Sequence, residues 1–128
     1  GVFALGTALF LHDLTDRTPH KFHMAFPYGY NTSSPKAAGI LCSCKKEPYY
    51  SLGIALVDTP AGNTVRAYNA EKTLCEILKP ISHTDIQIIT DAFKRYAGRK
   101  DKNIPLLSEY AHQLRVEKRL RPYLEVLL

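Results

Sequence analysis

The chain opens on an apolar run, GVFALGTALFLHDLTD, in which Ala4, Ala8 and Leu11, and Leu5 and Leu9, recur at helical spacing. That period predicts a buried helix closed by Leu14-Thr15-Asp16. The run is well short of the roughly 18 apolar residues a membrane span requires. With no Lys or Arg before Arg17 and no small-residue cleavage pattern, it also lacks the marks of a secretory leader. DRTPHKF follows as a wet turn broken at Pro19. KFHMAFP then alternates, with Phe22, Met24 and Phe26 on one side, which predicts a strand ended by Pro27. YGYNTSSPKAAG is a loop by composition. ILCSCK predicts a second strand and SLGIALVDTP a third, around Ile54–Val57. A tight AGN turn leads to a fourth, TVRAY, so TPAGNTVRAY is expected to form a hairpin.

From Asn69 the period changes from two to 3.6. NAEKTLCEILKP has Asn69 as N-cap, Glu71 in the first turn, an inward stripe of Leu74, Ile77 and Leu78, and Pro80 past the end. Glu71, Lys72 and Glu76 fall to its polar side, with Lys72 and Glu76 at i,i+4. The next helix is expected to start from Thr84, bury Ile86, Ile89, Phe93 and Tyr96, and stop at Gly98. A third carries Pro105 in its first turn and a stripe of Leu106, Leu107, Tyr110 and Leu114. The last, with Val116, Leu120, Tyr123, Leu124 and Leu127 inward, must be kinked or split by Pro122, which removes an intrahelical donor. The expected architecture is α+β. A small mixed or antiparallel sheet of about four strands in the first half is packed by an N-terminal helix and three to five C-terminal helices, all within one domain spanning 1–128.

Composition adds little to this except charge. Hydrophobic residues make up 45% and charged residues 23%, the balance of a folded domain rather than a disordered one. Net charge is +5, and 11 of the 17 Lys and Arg lie beyond residue 66. The excess gathers in KRYAGRKDK (Lys94, Arg95, Arg99, Lys100, Lys102) and RVEKRLR (Arg115, Lys118, Arg119, Arg121). Each cluster is either a solvated helix end, where cations complement the dipole, or a basic patch for an acidic or nucleic-acid partner. Three cysteines form no dense even framework, which points to a reducing, cytoplasmic setting.

Enzyme motifs fail. The chain has no P-loop, G-x-G-x-x-G, H-E-x-x-H or G-x-S-x-G. Asp58 is the one acid on a predicted strand, and without a second carboxylate it cannot clamp a divalent ion against phosphates. Cys42 and Cys44, with scattered His12, His20, His23, His83 and His112, lack the paired spacing of a zinc site. Cys75 has no histidine at a suggestive spacing and reads as a buried thiol. Tyr28, Tyr30, Tyr49 and Tyr50 lie in or near loops, where they either anchor the loop or stack on bases. No catalytic residue, metal or cofactor is expected.

The junction YNAEKTLCEIL, Tyr68–Leu78, resembles the x-E-R-T-x-x-D-x-L signature of AbiEi-type antitoxins, from type IV toxin–antitoxin systems of phage resistance by abortive infection. GTALFLHDLTDRTP looks like the family's opening helix and turn. FPYGYNTSS and the closing RVEKRLRPYLEVLL are similar to its low-GC Gram-positive branch. The likeness runs in order along essentially the whole chain. The signature falls on Glu71, Lys72, Thr73 and Glu76, with Lys72 where the family has Arg and Glu76 where it has Asp. Charge is kept, but Lys cannot make the planar two-point contact of Arg with a carboxylate.

The resemblance implies the C-terminal antitoxin domain of a two-part protein. Its N-terminal winged helix-turn-helix would bind operon DNA as a transcriptional regulator and would lie outside this chain, so that Gly1 is a cut. It implies a non-catalytic domain that counteracts a nucleotidyltransferase-like toxin, without a stable complex being required. The residues expected to carry contact with partner or nucleic acid are Lys94, Arg95, Arg99, Lys100, Lys102, Arg115, Lys118 and Arg119. The alternative is a nucleic-acid-binding accessory domain of a transcriptional autorepressor.

Overall fold

A computed structural model describes residues 1–127. It shows the α+β architecture, with five strands and six helices among the described residues. In chain order these are β1 Val2–Phe3, α1 Leu5–Leu11, β2 His23–Pro27, α2 Ser33–Ala37, β3 Leu41–Lys45, β4 Ile54–Asp58, β5 Thr64–Tyr68, α3 Ala70–Ile77, a 3₁₀ turn at Pro80–Ser82, α4 Ile86–Ala97, α5 Ile104–Gln113 and α6 Glu117–Leu127. No helix among the described residues is long and apolar enough to cross a membrane.

The sheet is mixed, in the order β3-β2-β1-β5-β4. β4 and β5 form the expected hairpin, with Val57 opposite Val65 and the turn closed by the Gly62 N–H donating to the Thr59 carbonyl at 2.9 Å. β2 and β3 run parallel, so the segment between them is a crossover rather than a plain loop. It contains α2, whose end is closed by Gly39 at φ 84 and by the Ile40 N–H reaching the Pro35 carbonyl at 3.0 Å. The central strand is β1, antiparallel to β2 and parallel to β5, with Phe3 between Met24 and Ala67. The opening apolar run is therefore not one helix. Val2 and Phe3 belong to the sheet, and the chain turns into α1 through extended Ala4 and a left-handed Leu5, φ 49.

α3 is the axis of the molecule. Every residue from Ala70 to Ile77 is buried, Glu71, Lys72, Thr73 and Glu76 included, so the helix has no solvated side. It packs against α1, α4 and α5 and follows directly from β5, joining the sheet to the helical half. Asn69 caps it as expected, its Oδ1 accepting the Lys72 N–H at 2.8 Å. The main core surrounds Leu9, Leu74, Phe93, Tyr96, Leu107 and Leu120, and a smaller one under the sheet holds Val2, Ala25, Tyr50 and Tyr68.

Other expectations need adjustment. Asp85, not Thr84, caps α4, its carboxylate accepting the Gln87 N–H at 2.7 Å. Ile86, expected inside, is 64% exposed because it sits in the first turn, beyond the reach of the core. Of Phe22, Met24 and Phe26, only Phe26 is buried; Phe22 precedes the strand and is exposed. Pro122 does not split the last helix, and Leu120 and Leu127 stay buried on either side of it.

Candidate functional site

Three arrangements of polar side chains stand out, and the family-like signature builds the first. The Lys72 ammonium is fully buried and donates to the carbonyls of Tyr49 at 2.7 Å and Leu52 at 2.9 Å. It lies 4.0 Å from the Tyr68 ring centroid and 3.4 Å from Glu76 Oε1. Glu76 Oε2 meets the Lys45 ammonium of β3 at 3.1 Å, while Oε1 has no hydrogen-bond partner among the described residues. Glu76 is thus shared between two ammonium groups. Burial pulls the Lys72 pKa down to about 8, against the opposing pull of Glu76. Glu71 is served separately: the Tyr96 hydroxyl donates to its Oε2 at 2.5 Å and itself accepts the Asn103 N–H at 2.6 Å. Burial and that carboxylate push the Tyr96 phenol upward. Thr73 returns its hydroxyl to the Asn69 carbonyl at 2.8 Å. All four signature residues are buried and hold their neighbours in place.

The second arrangement is a cleft of about 540 Å³ between β3, the end of α3 and the 3₁₀ turn, with Leu5, His23, Ser43, Lys45, Glu76 and His83 on its walls. Leu5 and His83 have φ of 49 and 51, so two residues in an uncommon backbone region converge there. His23 is held below the ordinary imidazole pKa by burial first and by Lys45 second. Its Nε2 stands 3.3 Å from Ser43 Oγ, a long approach for a base and its nucleophile. Among the described residues no carboxylate hydrogen-bonds to that imidazole, so the pair lacks the third group that would orient a base. Cys42 is half-buried and Cys44 exposed on the same strand. No group of three or more His, Cys, Asp or Glu among the described residues could hold a metal ion.

Cys75 lies apart, fully buried in α3, its thiol pushed up to about 12 by burial and then by Glu76. Alkylation by iodoacetamide at pH 8 is therefore expected to modify Cys44 in the folded chain and to reach Cys75 only in denaturant, which peptide mass mapping would read. Modification of Cys75 without denaturant would contradict this packing.

The third arrangement is basic, and the structure divides the two clusters. Arg95 pairs with Asp91 at 2.9 Å. Arg99 grips Asp101 through two contacts of 2.8 Å and donates to the His12 carbonyl at 2.8 Å, fastening the end of α4 to that of α1. Lys102 donates to the Ala97 carbonyl at 2.9 Å and so closes α4. Lys94 and Lys100 are exposed. Arg115, Lys118 and Arg119, by contrast, are all exposed around one depression of about 670 Å³ at the α5–α6 junction, and among the described residues none of them is in an ion pair. His112 and Glu117, paired at 3.1 Å, complete its walls. Arg115 has φ 59 and closes α5 where glycine is ordinarily preferred, with the Val116 N–H reaching the Ala111 carbonyl at 2.9 Å. The two clusters line separate depressions, since Arg95 and Arg99 border one with Leu11, His12 and Asp13.

The cleft and the sharing of Glu76 between Lys45 and Lys72 lie outside the sequence reading, because Lys45 sits on a strand 31 positions away. The burial of Glu71 did leave a trace: on a helical wheel it falls between Cys75 and Leu78, on the apolar arc. No family model and no curated protein matches the chain.

Proposed function

We propose that this chain is a non-catalytic antitoxin domain that opposes a nucleotidyltransferase-like toxin, and that it acts through the basic surface at the α5–α6 junction. The observation that carries the reading is the state of Arg115, Lys118 and Arg119. They are three exposed cations around one depression, and among the described residues none is in an ion pair; the one carboxylate on its walls, Glu117, is paired with His112. Arg115 is held there at a backbone cost of about 1–2 kcal/mol that glycine would avoid. The first cluster is a weaker candidate, because Arg95, Arg99 and Lys102 are engaged in holding α4. The buried signature supports a binding domain in another way: Glu71, Lys72 and Glu76 are engaged in joining elements of the framework.

The test is survival of cells expressing the toxin encoded beside this chain. Arg115→Gly with Lys118→Ala and Arg119→Ala is expected to abolish protection at unchanged protein level, while Lys94→Ala with Lys100→Ala retains it. Full protection by the first variant would reduce that surface to solvated helix ends. Protection by neither the parent chain nor its variants would move the reading to an accessory domain of an autorepressor.

A further inference from the structure

We infer that a second surface, formed by the turn after β2, the segment after β3 and the end of α3, binds single-stranded nucleic acid by stacking. It uses none of the residues proposed above for toxin neutralisation. Three tyrosine rings are exposed there, and each is fixed on one side. Tyr30, 52% exposed, lies against the buried Phe26 ring with centroids 4.9 Å apart and planes inclined by 14°. Tyr28, 69% exposed, has the Lys46 ammonium 4.9 Å from its centroid. Tyr49, 38% exposed, has the Lys79 ammonium 5.8 Å from its centroid. Tyr50, the fourth tyrosine of these loops, is buried, and its carbonyl accepts the Tyr68 hydroxyl at 2.6 Å.

A series of contacts links these segments. The Tyr28 N–H donates to the Lys45 carbonyl at 2.9 Å, bringing the Tyr28–Tyr30 turn onto the residue before Lys46. Lys45 reaches Glu76 at 3.1 Å, and the Lys79 N–H donates to the Glu76 carbonyl at 3.1 Å. Tyr49 is tied in by its carbonyl, which accepts from buried Lys72 at 2.7 Å. Lys46 and Lys79 thus each stand beside an exposed tyrosine, while Lys45 is bound to Glu76. The local carboxylates are Glu47, which accepts from Ser51, and Glu76, which is shared by Lys45 and Lys72.

Cations beside supported aromatic faces are the chemistry of a single-strand platform. Bases stack on the open ring faces, phosphates meet the ammonium groups, and any base serves because each has a π-face. A duplex, its bases already stacked, offers only phosphates. The Tyr30 ring, already stacked on the buried Phe26, loses little freedom on binding.

The experiment is fluorescence anisotropy of labelled oligo(dT) and oligo(U) of about 12 nucleotides, and of a duplex of equal length, across a salt series. Single strands are expected to bind more tightly than duplex. Tyr28→Leu and Tyr30→Leu are each expected to weaken binding about tenfold, whereas Tyr28→Phe and Tyr30→Phe keep it. Lys46→Ala is expected to lower the salt slope by about 0.7. Tighter binding to oligo(U) than to oligo(dT) would support the proposal with RNA as the strand, and the reverse would support it with DNA. Equal affinity for duplex, leucine variants within twofold of the parent, absence of binding at low salt, or loss of binding in Arg115→Gly with Lys118→Ala and Arg119→Ala would each overturn it.

Discussion

Lys72→Met is expected to destabilise the chain by about 3–5 kcal/mol, the cost of removing one partner from a buried ion pair. Three interactions disappear at once. The carbonyls of Tyr49 and Leu52 lose donors at 2.7 and 2.9 Å, and Glu76 keeps only Lys45. A domain of this size has about 5–15 kcal/mol in all, so the variant approaches the limit of folding. Urea denaturation measures the loss. Adding Glu76→Leu should recover part of it, because the carboxylate deprived of one of its two cations is gone, but not all, because two carbonyls stay unpaired. The gap between parent and Lys72→Met should also widen with alkalinity. The folded-state pKa of Lys72, about 8, lies below its ordinary value of 10.5. Between those two values the unfolded chain therefore binds more protons, and stability from this group rises with pH. A gap of less than about 1 kcal/mol in urea, no more than a typical point substitution costs, would show that Lys72 is not a hub of the fold.

Gly53→Ala is expected to cost about 2–4 kcal/mol, for two reasons that add. Gly53 has φ 81, where alanine is strained. A Cβ built there would stand 2.7 Å from the Lys72 Cβ, an approach that side-chain rotation cannot relieve. The Gly53 carbonyl also accepts the Asn69 N–H at 2.8 Å, so the loop cannot retreat without loosening the start of α3. Thermal unfolding of Gly53→Ala beside Gly62→Ala separates the two contributions. Gly62 has φ 88 with nothing within 4 Å of the added carbon, so its variant reports backbone strain alone.

Much of the chain was legible because its elements carry their own punctuation. Asn69 caps α3 as read, and the AGN turn between two strand-like segments marked the β4–β5 hairpin. β1 was not legible, because two residues make no period and Val2-Phe3 runs straight into the apolar positions of α1. The crossover through α2 was hidden by loop-like composition, and whether two strands pair in parallel is decided by tertiary packing. The candidate sites divide the same way. Sequence found both basic clusters, but only the fold shows Arg95, Arg99 and Lys102 turned to internal use while Arg115, Lys118 and Arg119 remain free of ion pairs among the described residues. Glu71, Lys72 and Glu76 read as a polar face because a helix with charges usually has a wet side; here Tyr96 of α4 covers Glu71, loop 49–53 covers Lys72 and the end of β3 covers Glu76.

The enclosure of α3 bears on how the molecule comes apart. Its amides are shielded by α1, α4 and α5 on one side and by the strand-bearing half on the other. Their hydrogen exchange is therefore expected to proceed through global unfolding, the highest-energy opening available. The strand-rich and helix-rich halves, distinct along the sequence, therefore constitute one cooperative unit in three dimensions.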